Sequence, residues 1–230
     1  MIDMHSHIIF GVDDGAKTIE ESIAIIEEEI KQGVTKIICT PHYRKGMFEA
    51  TSEIIKDNFN ILKEEIKKRN LVVDIYPGRE IFYNNKIQEM IRDGHLSSLN
   101  DTKNYLIEFS YTIDTEIDDI AYEFNRQGLT MIIAHIERYQ YIKDINYLYD
   151  LKALGALIQI NASTICGVDG KKEQRKVFKY IKHGLVDFVA SDIHYSRHNH
   201  MVEAYNKIVK KFGEEIAVKL FNDNANNYLF

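Results

Sequence analysis

Residues 1–15, MIDMHSHIIFGVDDG, combine a predicted strand with a polar turn. The alternation over Ile2–Ile8 is typical of a short strand, and its period of two directs His5 and His7 to one face, spaced to bind one cation. Asp13–Gly15 then predicts a turn that adds two carboxylates. Histidines on strands are also common in ordinary cores, so this stretch alone leaves a metal site and a structural role both open.

Beyond this stretch, predicted helices and strands alternate along the chain. The first helix begins at a Thr18-x-x-Glu21 capping box and ends at Gly33. Pro41 ends the second strand, and His42 follows it. The predicted strands are Ile2–Ile8, Thr35–Cys39, Leu71–Tyr76, Tyr105–Phe109, Thr130–Ala134, Leu157–Asn161 and Val186–Ala190. Helical spacing of apolar residues predicts helices within Ile19–Ile30, Ile55–Ile66, Asn84–Arg92, Ile117–Phe124, Leu148–Leu154, Val177–Ile181 and His198–Leu229.

Seven strands in 230 residues give about 33 residues per unit, close to the ~31 of a (β/α) barrel. The strands are nearly continuous apolar runs, as expected when helices cover both faces of a parallel sheet. The alternative is an open doubly wound sheet, but no G-x-G-x-x-G follows the first strand. We therefore predict an α/β protein with a TIM-like barrel, formed by residues 1–230 as a single domain without a linker.

Composition excludes several classes of function. The net charge is −6 with both signs interspersed, which argues against a nucleic-acid partner. No apolar run approaches the ~20 residues of a membrane span and the first residues do not resemble a signal peptide, so we expect a cytoplasmic protein that is not embedded in a membrane. Cys39 and Cys166 cannot form a disulfide framework. Lysine follows each of them six residues later, so the C-x5-R loop of cysteine-dependent phosphatases is absent.

Imidazole and carboxylate side chains recur where the predicted strands end. In a (β/α) barrel these ends meet at one mouth, where such folds carry their chemistry. Six of the seven strand ends contribute, which is more than chance would give. The set suits two or three divalent ions, with Mn favoured and Fe or Zn as alternatives, because imidazole serves all three and carboxylates bridge adjacent ions. The candidate ligands are His5, His7, Asp14, His42, Glu80, Glu108, His135, Asp192 and His194.

Two arginines follow candidate ligands by three residues each. Arg138 follows His135 and Arg197 follows His194, which places both beside the predicted mouth. A guanidinium bonds two phosphate oxygens at once, so we interpret both as catalytic and substrate-binding residues rather than as partners of acidic neighbours. A further basic cluster is interpreted as a solvated outer helix face; its members are Lys171, Lys172, Arg175, Lys176, Lys179 and Lys182.

The order of these motifs resembles the PHP (polymerase and histidinol phosphatase) superfamily over essentially the whole chain. Within it, M-I-D-x-H-S-H-I, G-V-D-D-G-A-K-T and H-I-E-R-Y resemble the bacterial protein-tyrosine phosphatases of capsule and exopolysaccharide operons. The motifs that carry the resemblance are H-x-H at 5–7, D-D-G at 13–15, T-P-H at 40–42, Glu80, E-F at 108–109, H-x-E-R-Y at 135–139 and S-D-x-H at 191–194.

The resemblance implies a distorted seven-stranded barrel with a trinuclear metal site. One ion would be held by His5, His7, Glu80 and Asp192, a second by Glu80, Glu108 and His135, and a third by Asp14, His42 and His194. This sequence departs from the family pattern at Tyr43, where a second His is frequent, and at Arg79, where a Gln is frequent. We expect both departures to affect substrate contacts rather than metal binding.

The resemblance also implies a substrate, the tyrosine-rich tail of a membrane-associated bacterial tyrosine kinase. The predicted reaction is hydrolysis of the phosphomonoester by water that the metal ions activate, without a covalent intermediate. Asp14 or a metal-bound water is a candidate general acid, although a phenoxide leaving group with a pKa near 10 needs less help than an alkoxide. The alternatives are a small-molecule phosphoesterase similar to histidinol phosphatase and a non-catalytic, metal-binding regulator of the kinase.

Overall fold

A computed structural model describes all residues, 1–230. Its nine β-segments are all short and all paired in parallel, as expected of buried strands that alternate with helices. They are β1 Ile2–Ser6, β2 Lys36–Cys39, β3 His42–Tyr43, β4 Asp74–Pro77, β5 Glu80–Phe82, β6 Asn104–Glu108, β7 Thr130–Ile133, β8 Leu157–Asn161 and β9 Phe188–Ala190.

Ten α-helices connect or flank these strands. In the first, the Thr18 hydroxyl accepts a hydrogen bond from the Glu21 N–H at 3.3 Å, which confirms the predicted helix start. The helices are α1 Ile19–Lys31, α2 Ser52–Lys68, α3 Ile87–Arg92, α4 Ile117–Arg126, α5 Ile145–Ala153, α6 Ala162–Cys166, α7 Lys171–Lys182, α8 Met201–Phe212, α9 Glu214–Val218 and α10 Asn224–Leu229.

The strands form two sheets whose order follows the chain. The smaller sheet runs β1-β2-β4, and the larger runs β3-β5-β6-β7-β8-β9 and curls into a half-barrel. A bridge between Ser6 and Ile193 joins the end of β1 to the segment that follows β9. Strand order never reverses within the larger sheet, so the doubly wound alternative is wrong.

Two short strands, β3 and β5, were not predicted, the start of one predicted strand is shifted, and two helical predictions need correction. Pro41 has no N–H to donate, so the second strand stops at Cys39 and resumes as β3. The third strand begins at Asp74 rather than Leu71, because its partner β2 begins only at Lys36. The predicted last helix breaks at Gly213, whose φ of +96° is not helical. Helix α6, which follows β8 directly, was not predicted.

The inward and outward faces of the sheets pack in separate apolar clusters. The outer cluster holds the strands against the helices, and the inner cluster fills the amino-terminal half of the sheet interior, where Leu229 of α10 packs. A bulge interrupts the pairing of β1 with β2, because the three steps from Asp3 to Ser6 oppose only two steps of β2. As a result, two successive residues, Met4 and His5, both point inward, and Met4 joins the inner cluster. The inner apolar cluster consists of Ile2, Met4, Ile38, Leu99, Leu106, Ile132, Ala134, Leu157, Phe188, Ala190, Ala225 and Leu229.

Candidate metal centre

All nine candidate ligands lie together at the carboxyl ends of the strands. Seven of them are buried, His42 is half-buried and Asp14 is exposed. The ligand atoms of seven of them form overlapping groups in which each atom lies within 4.8 Å of the others. The groups are His7, Asp14, His42 and His194; His5, His7 and Glu80; and His42, Glu80 and Glu108.

The first set implied by the resemblance surrounds the inner end of the centre. The Nε2 atoms of His5 and His7 are 3.2 Å apart, and Glu80 Oε2 lies 3.2 and 3.3 Å from them. Asp192 Oδ1 completes this set at 3.7 Å from His5 Nε2 and 3.5 Å from His7 Nε2. These four side chains come from β1 and the residue that follows it, from β5 and from the segment after β9, so the curl of the sheets brings them together.

The other two implied sets flank the first. His135 Nε2 is 3.0 Å from Glu80 Oε1 and 3.7 Å from Glu108 Oε1. On the opposite side, Asp14 Oδ1 lies 3.5 Å from His42 Nε2 and 3.4 Å from His194 Nε2. Glu80 therefore lies between the first and second sets. Its Oε2 faces His5 and His7 of the first set, and its Oε1 faces His135 of the second.

The Glu80 carboxylate provides the test of whether a cation fits here. Its Oε2 atom is buried and lies within 3.3 Å of three imidazole nitrogens, from His5, His7 and His42, yet it has no hydrogen-bond partner. His42 Nδ1 and His194 Nε2 are likewise buried without a partner. Unpaired buried polar atoms are unfavourable, and lone pairs that converge in this way are satisfied by a cation between them. The donor set fits divalent ions.

Side chains around the ligands fix their orientation. Asp13 Oδ2 lies 2.9 Å from His7 Nδ1, which assigns the proton to Nδ1 and leaves the Nε2 lone pair facing the centre. Gln159 Oε1 does the same for His5 at 3.3 Å and accepts the His135 N–H at 2.7 Å. Asn161 Nδ2 donates to Asp192 Oδ2 at 2.9 Å. Gln159 and Asn161 were not predicted, although two amides in the apolar strand LIQIN were the available signal.

Burial and charge perturb the acid–base behaviour of the centre. Burial lowers the pKa of His7, but the Asp13, Asp192 and Glu80 carboxylates together outweigh it, and the pKa lies well above the ordinary value. Burial, assisted by the charge of Glu80, raises the pKa of Glu108 to about 7. Burial lowers the pKa of His135 to about 4, so this imidazole is neutral and ready to ligate at physiological pH. Perturbation of this kind is typical of functional sites.

Two candidate ligands have unusual backbone conformations. His135 has φ of +30° and Asp192 has φ of +51°, in the left-handed region that non-glycine residues rarely adopt. Each is the second residue after a strand end, and each is held by its own N–H: His135 donates to Gln159 Oε1 and Asp192 donates to the His5 carbonyl at 3.0 Å. The strain keeps both side chains turned into the centre.

The D-D-G turn packs so closely on His7 that only glycine fits at its end. A Cβ on Gly15 would lie 2.1 Å from the His7 carbonyl oxygen. The Gly15 N–H donates to Asp13 Oδ1 at 2.9 Å, and the Ala16 N–H donates to the His7 carbonyl at 3.2 Å. The turn thereby places Asp13 under His7 and leaves Asp14 at the mouth of the centre.

A cavity of about 170 Å³ opens over the centre, and both predicted arginines line it. Arg138 Nη1 lies 2.9 Å and Arg197 Nη1 lies 3.2 Å from Asp192 Oδ2. Four further lining residues were not predicted, one of them Met47. Tyr111 donates to Glu108 Oε1 at 2.8 Å, Phe48 stacks on His42 with ring centroids 5.3 Å apart, and Arg44 lies at the rim. They belong to loops without a motif, so the sequence held no signal for them.

The two departures from the family pattern lie elsewhere. The Arg79 guanidinium is 5.3 Å from the Tyr43 ring centre, and its Nη2 donates to the Ala50 carbonyl at 2.6 Å. Both residues line a separate cavity, and neither lines the one over the metal centre. Their side chains turn toward each other, away from the metal centre, and the expectation that they affect substrate contacts stays a prediction.

A larger cavity of about 1020 Å³ adjoins the metal centre. It shares Tyr111 and Arg138 with the smaller cavity, and α7 forms one wall. Five members of the basic cluster are exposed and Lys176 is half-buried, as the interpretation of a solvated face requires, but only Lys171 and Lys182 lie outside this cavity. The other four members, Lys172, Arg175, Lys176 and Lys179, line this cavity because they recur on one face of α7.

Solved structures of low sequence identity define the class of fold. Histidinol phosphate phosphatase from Lactococcus lactis superposes with a TM-score of 0.60 at 14% identity, covering 92% of this chain and 94% of that one. The phosphotriesterase homology protein from Escherichia coli gives 0.62 at 10%, covering 100% and 98%. The chain therefore has a PHP-like α/β fold.

The family follows from closer matches. The family described as "Capsular polysaccharide synthesis, CpsB/CapC" matches residues 1–230, and this chain belongs to it. Tyrosine-protein phosphatase CpsB of Streptococcus agalactiae is 40% identical, with 100% of this chain and 98% of the relative covered. Among solved structures, one from work on YwqE of Bacillus subtilis and CpsB of Streptococcus pneumoniae, described as unique metal-dependent tyrosine phosphatases, has a TM-score of 0.93 at 31% identity, covering 100% and 94%. The resemblance inferred from the motifs is confirmed.

None of the helices combines the length and apolar character required to cross a bilayer. Both cysteines are free; Cys39 is buried, as its apolar strand predicts, and neither lines the metal centre.

Proposed function

We infer that this chain hydrolyses phosphotyrosine in proteins as a metal-dependent phosphatase of the CpsB/CapC family. Relatives that match it over their whole length carry the name tyrosine-protein phosphatase. The observation that carries the inference in this chain is the convergence of nine imidazole and carboxylate side chains on a cavity lined by two arginines. A degenerate, non-catalytic copy would be expected to have lost some of these groups.

We propose that the nine side chains hold two or three divalent ions, with Mn favoured. The short distances from Glu80 to His5, His7 and His135 support its place between two of the implied sets. Glu80 Oε2 also lies 2.8 Å from His42 Nδ1, so the third set adjoins the same carboxylate. Bound ions would lower the pKa of a water molecule and neutralise charge on the phosphate. Asp13 and Gln159 keep the imidazole lone pairs of the β1 histidines directed at the ions.

Arg138 and Arg197 are proposed to bind the phosphate. Both guanidiniums reach the cavity, and Asp192 holds them near each other, so that they face oxygens on which charge develops in the transition state. Asp14 has a different role. The contact of its Oδ1 with His194 Nε2, 3.4 Å away, lowers its pKa below the ordinary value, so it is ionised at neutral pH and is proposed to serve as a ligand rather than as a general acid. A phenoxide leaving group needs little help from an acid.

The substrate class is tested by comparing three phosphomonoesters under one metal: a phosphotyrosyl peptide, a phosphoseryl peptide and histidinol phosphate. We expect kcat/KM for the phosphotyrosyl peptide to be at least about 10²-fold higher, because its leaving group is intrinsically better. Equal rates would indicate a general phosphoesterase. A preference for histidinol phosphate would overturn the proposal, and the absence of any hydrolysis with full metal content would favour a non-catalytic regulator.

The cellular context is also proposed. The family description concerns capsular polysaccharide synthesis, and we propose that the substrate is the tyrosine-rich tail of a cognate bacterial tyrosine kinase in that system, met in the cytoplasm. Co-expression of the kinase with this chain or its Glu80→Ala variant tests the pairing, because only the unaltered chain should remove phosphotyrosine from the tail.

We further infer that residues 1–230 act as one domain whose nine β-segments represent seven strands of a distorted barrel. Two residues separate β2 from β3, and two separate β4 from β5, so each pair acts as one interrupted strand. The Ser6–Ile193 bridge supports closure between the first and last strands. A crystal structure with β1 detached from the β9 segment would contradict closure, and two separate unfolding transitions would contradict a single domain.

A further inference from the structure

The larger cavity beside the metal centre is a groove with an excess of positive charge. Six basic and three acidic side chains line it, an excess of three, in a chain whose net charge is −6. One acidic lining residue, Glu173, pairs with Lys176 at 2.9 Å, and another, Asp169, accepts the Thr164 hydroxyl at 2.7 Å. Glu173 therefore neutralises Lys176 rather than the rest of the groove, and the excess of three already counts the charges of Asp169 and of the third acidic residue, Glu137.

Four basic side chains in the groove have no acidic partner. They form no salt bridge and no side-chain hydrogen bond, and all four are exposed. On α7 the spacing from Lys172 to Lys179 spans seven residues, or about 10 Å, which matches three residues of extended peptide. The fourth positive charge comes from Lys143, on the wall of the groove opposite α7. The four are Lys143, Lys172, Arg175 and Lys179.

The groove is continuous with the metal centre rather than a separate surface. Arg138 and Tyr111 line both cavities, so a chain whose phosphate reaches the metal centre can run past them into the groove. Ile142 and Tyr180 add apolar surface beneath the charges. A concave, partly apolar groove of this kind suits an extended peptide better than a flat lipid surface.

We propose that this groove binds a carboxylate-rich segment next to the phosphotyrosine in the same substrate chain. The proposal rests on the phosphotyrosine phosphatase function and adds a preference for acidic flanking residues. Glutamate or aspartate side chains of the substrate pair with Lys172, Arg175 and Lys179, while Lys143 closes the opposite wall. The attraction raises the rate of productive encounter and weakens as salt screens it.

The test compares two peptides on three proteins. One peptide has three glutamates on each side of a single phosphotyrosine, and the other has glutamine at all six positions. The proteins are the unaltered chain, the variant Lys172→Gln with Lys179→Gln, and the matched control Lys171→Gln with Lys182→Gln. Both variants lose two exposed lysines from α7, but the control pair lies outside the groove. The measured quantity is the ratio of kcat/KM for the acidic peptide to that for the neutral peptide.

We expect the unaltered chain to prefer the acidic peptide. In the groove variant the ratio of kcat/KM values should be about 5-fold lower, mainly through a higher KM for the acidic peptide, as is typical of the loss of two exposed ion pairs. The control variant should keep the ratio. The charge-reversed variant Lys172→Glu with Lys179→Glu should favour a peptide with lysine in place of glutamate. Metal content, measured by elemental analysis, checks that each variant retains its centre.

The outcomes separate the two proposals. Equal ratios for the groove and control variants, with both peptides hydrolysed, would overturn the groove proposal and leave the phosphatase function standing. Absence of hydrolysis of either peptide and of p-nitrophenyl phosphate by the metal-loaded, unaltered chain would instead overturn the phosphatase function. Loss of binding to vesicles of phosphatidylglycerol in the groove variant, with unchanged peptide ratios, would assign the charges to a membrane surface and also overturn the proposal.

Discussion

Along the inward face of the sheets, the amino-terminal half is apolar and the carboxyl-terminal half is ionisable. The change occurs within single strands: in β6, Leu106 belongs to the inner apolar cluster and Glu108 to the metal centre. In β8, Leu157 is followed on the same face by Gln159 and Asn161, which position ligands. Two residues, about 7 Å along a strand, separate the two environments.

The difference shows how stability and function are divided in this fold. The apolar half gains free energy from burial, at roughly 25 cal/mol for each Å² removed from water. The ionisable half opposes folding, because burying carboxylates and imidazoles is unfavourable unless they are paired, and Glu80 Oε2 makes no hydrogen bond within the protein. The apolar half therefore stabilises a site that cations complete. Substitutions in the two halves should have effects of different kinds.

Glu80 is shared between two of the proposed ligand sets, and its replacement should cause the largest decrease in kcat/KM. Glu80→Ala removes both oxygens that face His5, His7 and His135, so we expect loss of bound metal and a decrease in kcat/KM of at least about 10³-fold. Elemental analysis and hydrolysis of p-nitrophenyl phosphate measure the two effects. Exhaustive chelation of the unaltered chain should reproduce the loss, and a divalent transition metal should restore activity in that chain but not in the variant. Full activity without metal would refute the proposed mechanism.

A substitution in the apolar half should instead reduce stability. Ile132 is fully buried in the inner apolar cluster, and Ile132→Ala should lower the free energy of unfolding by about 3 kcal/mol through lost burial and a residual cavity. Ile132→Val should lower it by about 1 kcal/mol. Denaturant unfolding of the metal-loaded protein measures both. Metal content should be unchanged in the folded variants. If metal content instead falls in proportion to the free energy of unfolding, the apolar half and the metal centre do not act independently.

At the mouth, the arginine that contacts Asp192 most closely should affect turnover without affecting metal binding. Arg138→Ala removes a donor directed at the phosphate, and we expect kcat/KM to fall by about 10²-fold, or ~2.7 kcal/mol. Metal content by elemental analysis should stay at the level of the unaltered chain. Arg197→Ala should act in the same direction with a smaller effect, because its side chain is 45% exposed whereas that of Arg138 is 26% exposed. An arginine variant that loses its metal would contradict this division of roles.

The two halves also differ in how far the sequence predicts them. Periodic apolar residues predict strands such as β7 and β8 closely, because each strand pairs along its whole length, whereas the bulge in β1 and the start of β4 depend on partners distant in the chain. The convergence of the candidate ligands follows from their position at strand ends. The positions of Tyr111, Phe48 and the groove face of α7 depend on how loops and helices pack, for which no local pattern exists.

The smallest predicted effect is a pH dependence. It comes from a single proton, on Glu108, where the apolar and ionisable halves meet. Burial and the charge of Glu80 raise the pKa of Glu108 to about 7, so below that pH a proton occupies a carboxylate proposed to bind metal. In the metal-free protein, a raised carboxyl pKa contributes stability that is present below the unfolded value of 4.5 and is lost as pH rises through about 7. Glu108→Gln should remove that slope.

Metal affinity should respond in the opposite direction, because binding requires the proton to leave. Between pH 5 and 7 the affinity of the unaltered chain should rise with pH more steeply than that of Glu108→Gln, by about one proton, or about tenfold per pH unit. The variant Glu89→Gln, on the exposed face of α3, should keep the full slope. Calorimetric titration with Mn²⁺ at several pH values measures the difference. Parallel slopes for the unaltered chain and Glu108→Gln would remove Glu108 from the ligand set, because a carboxylate that binds metal must release its proton to do so.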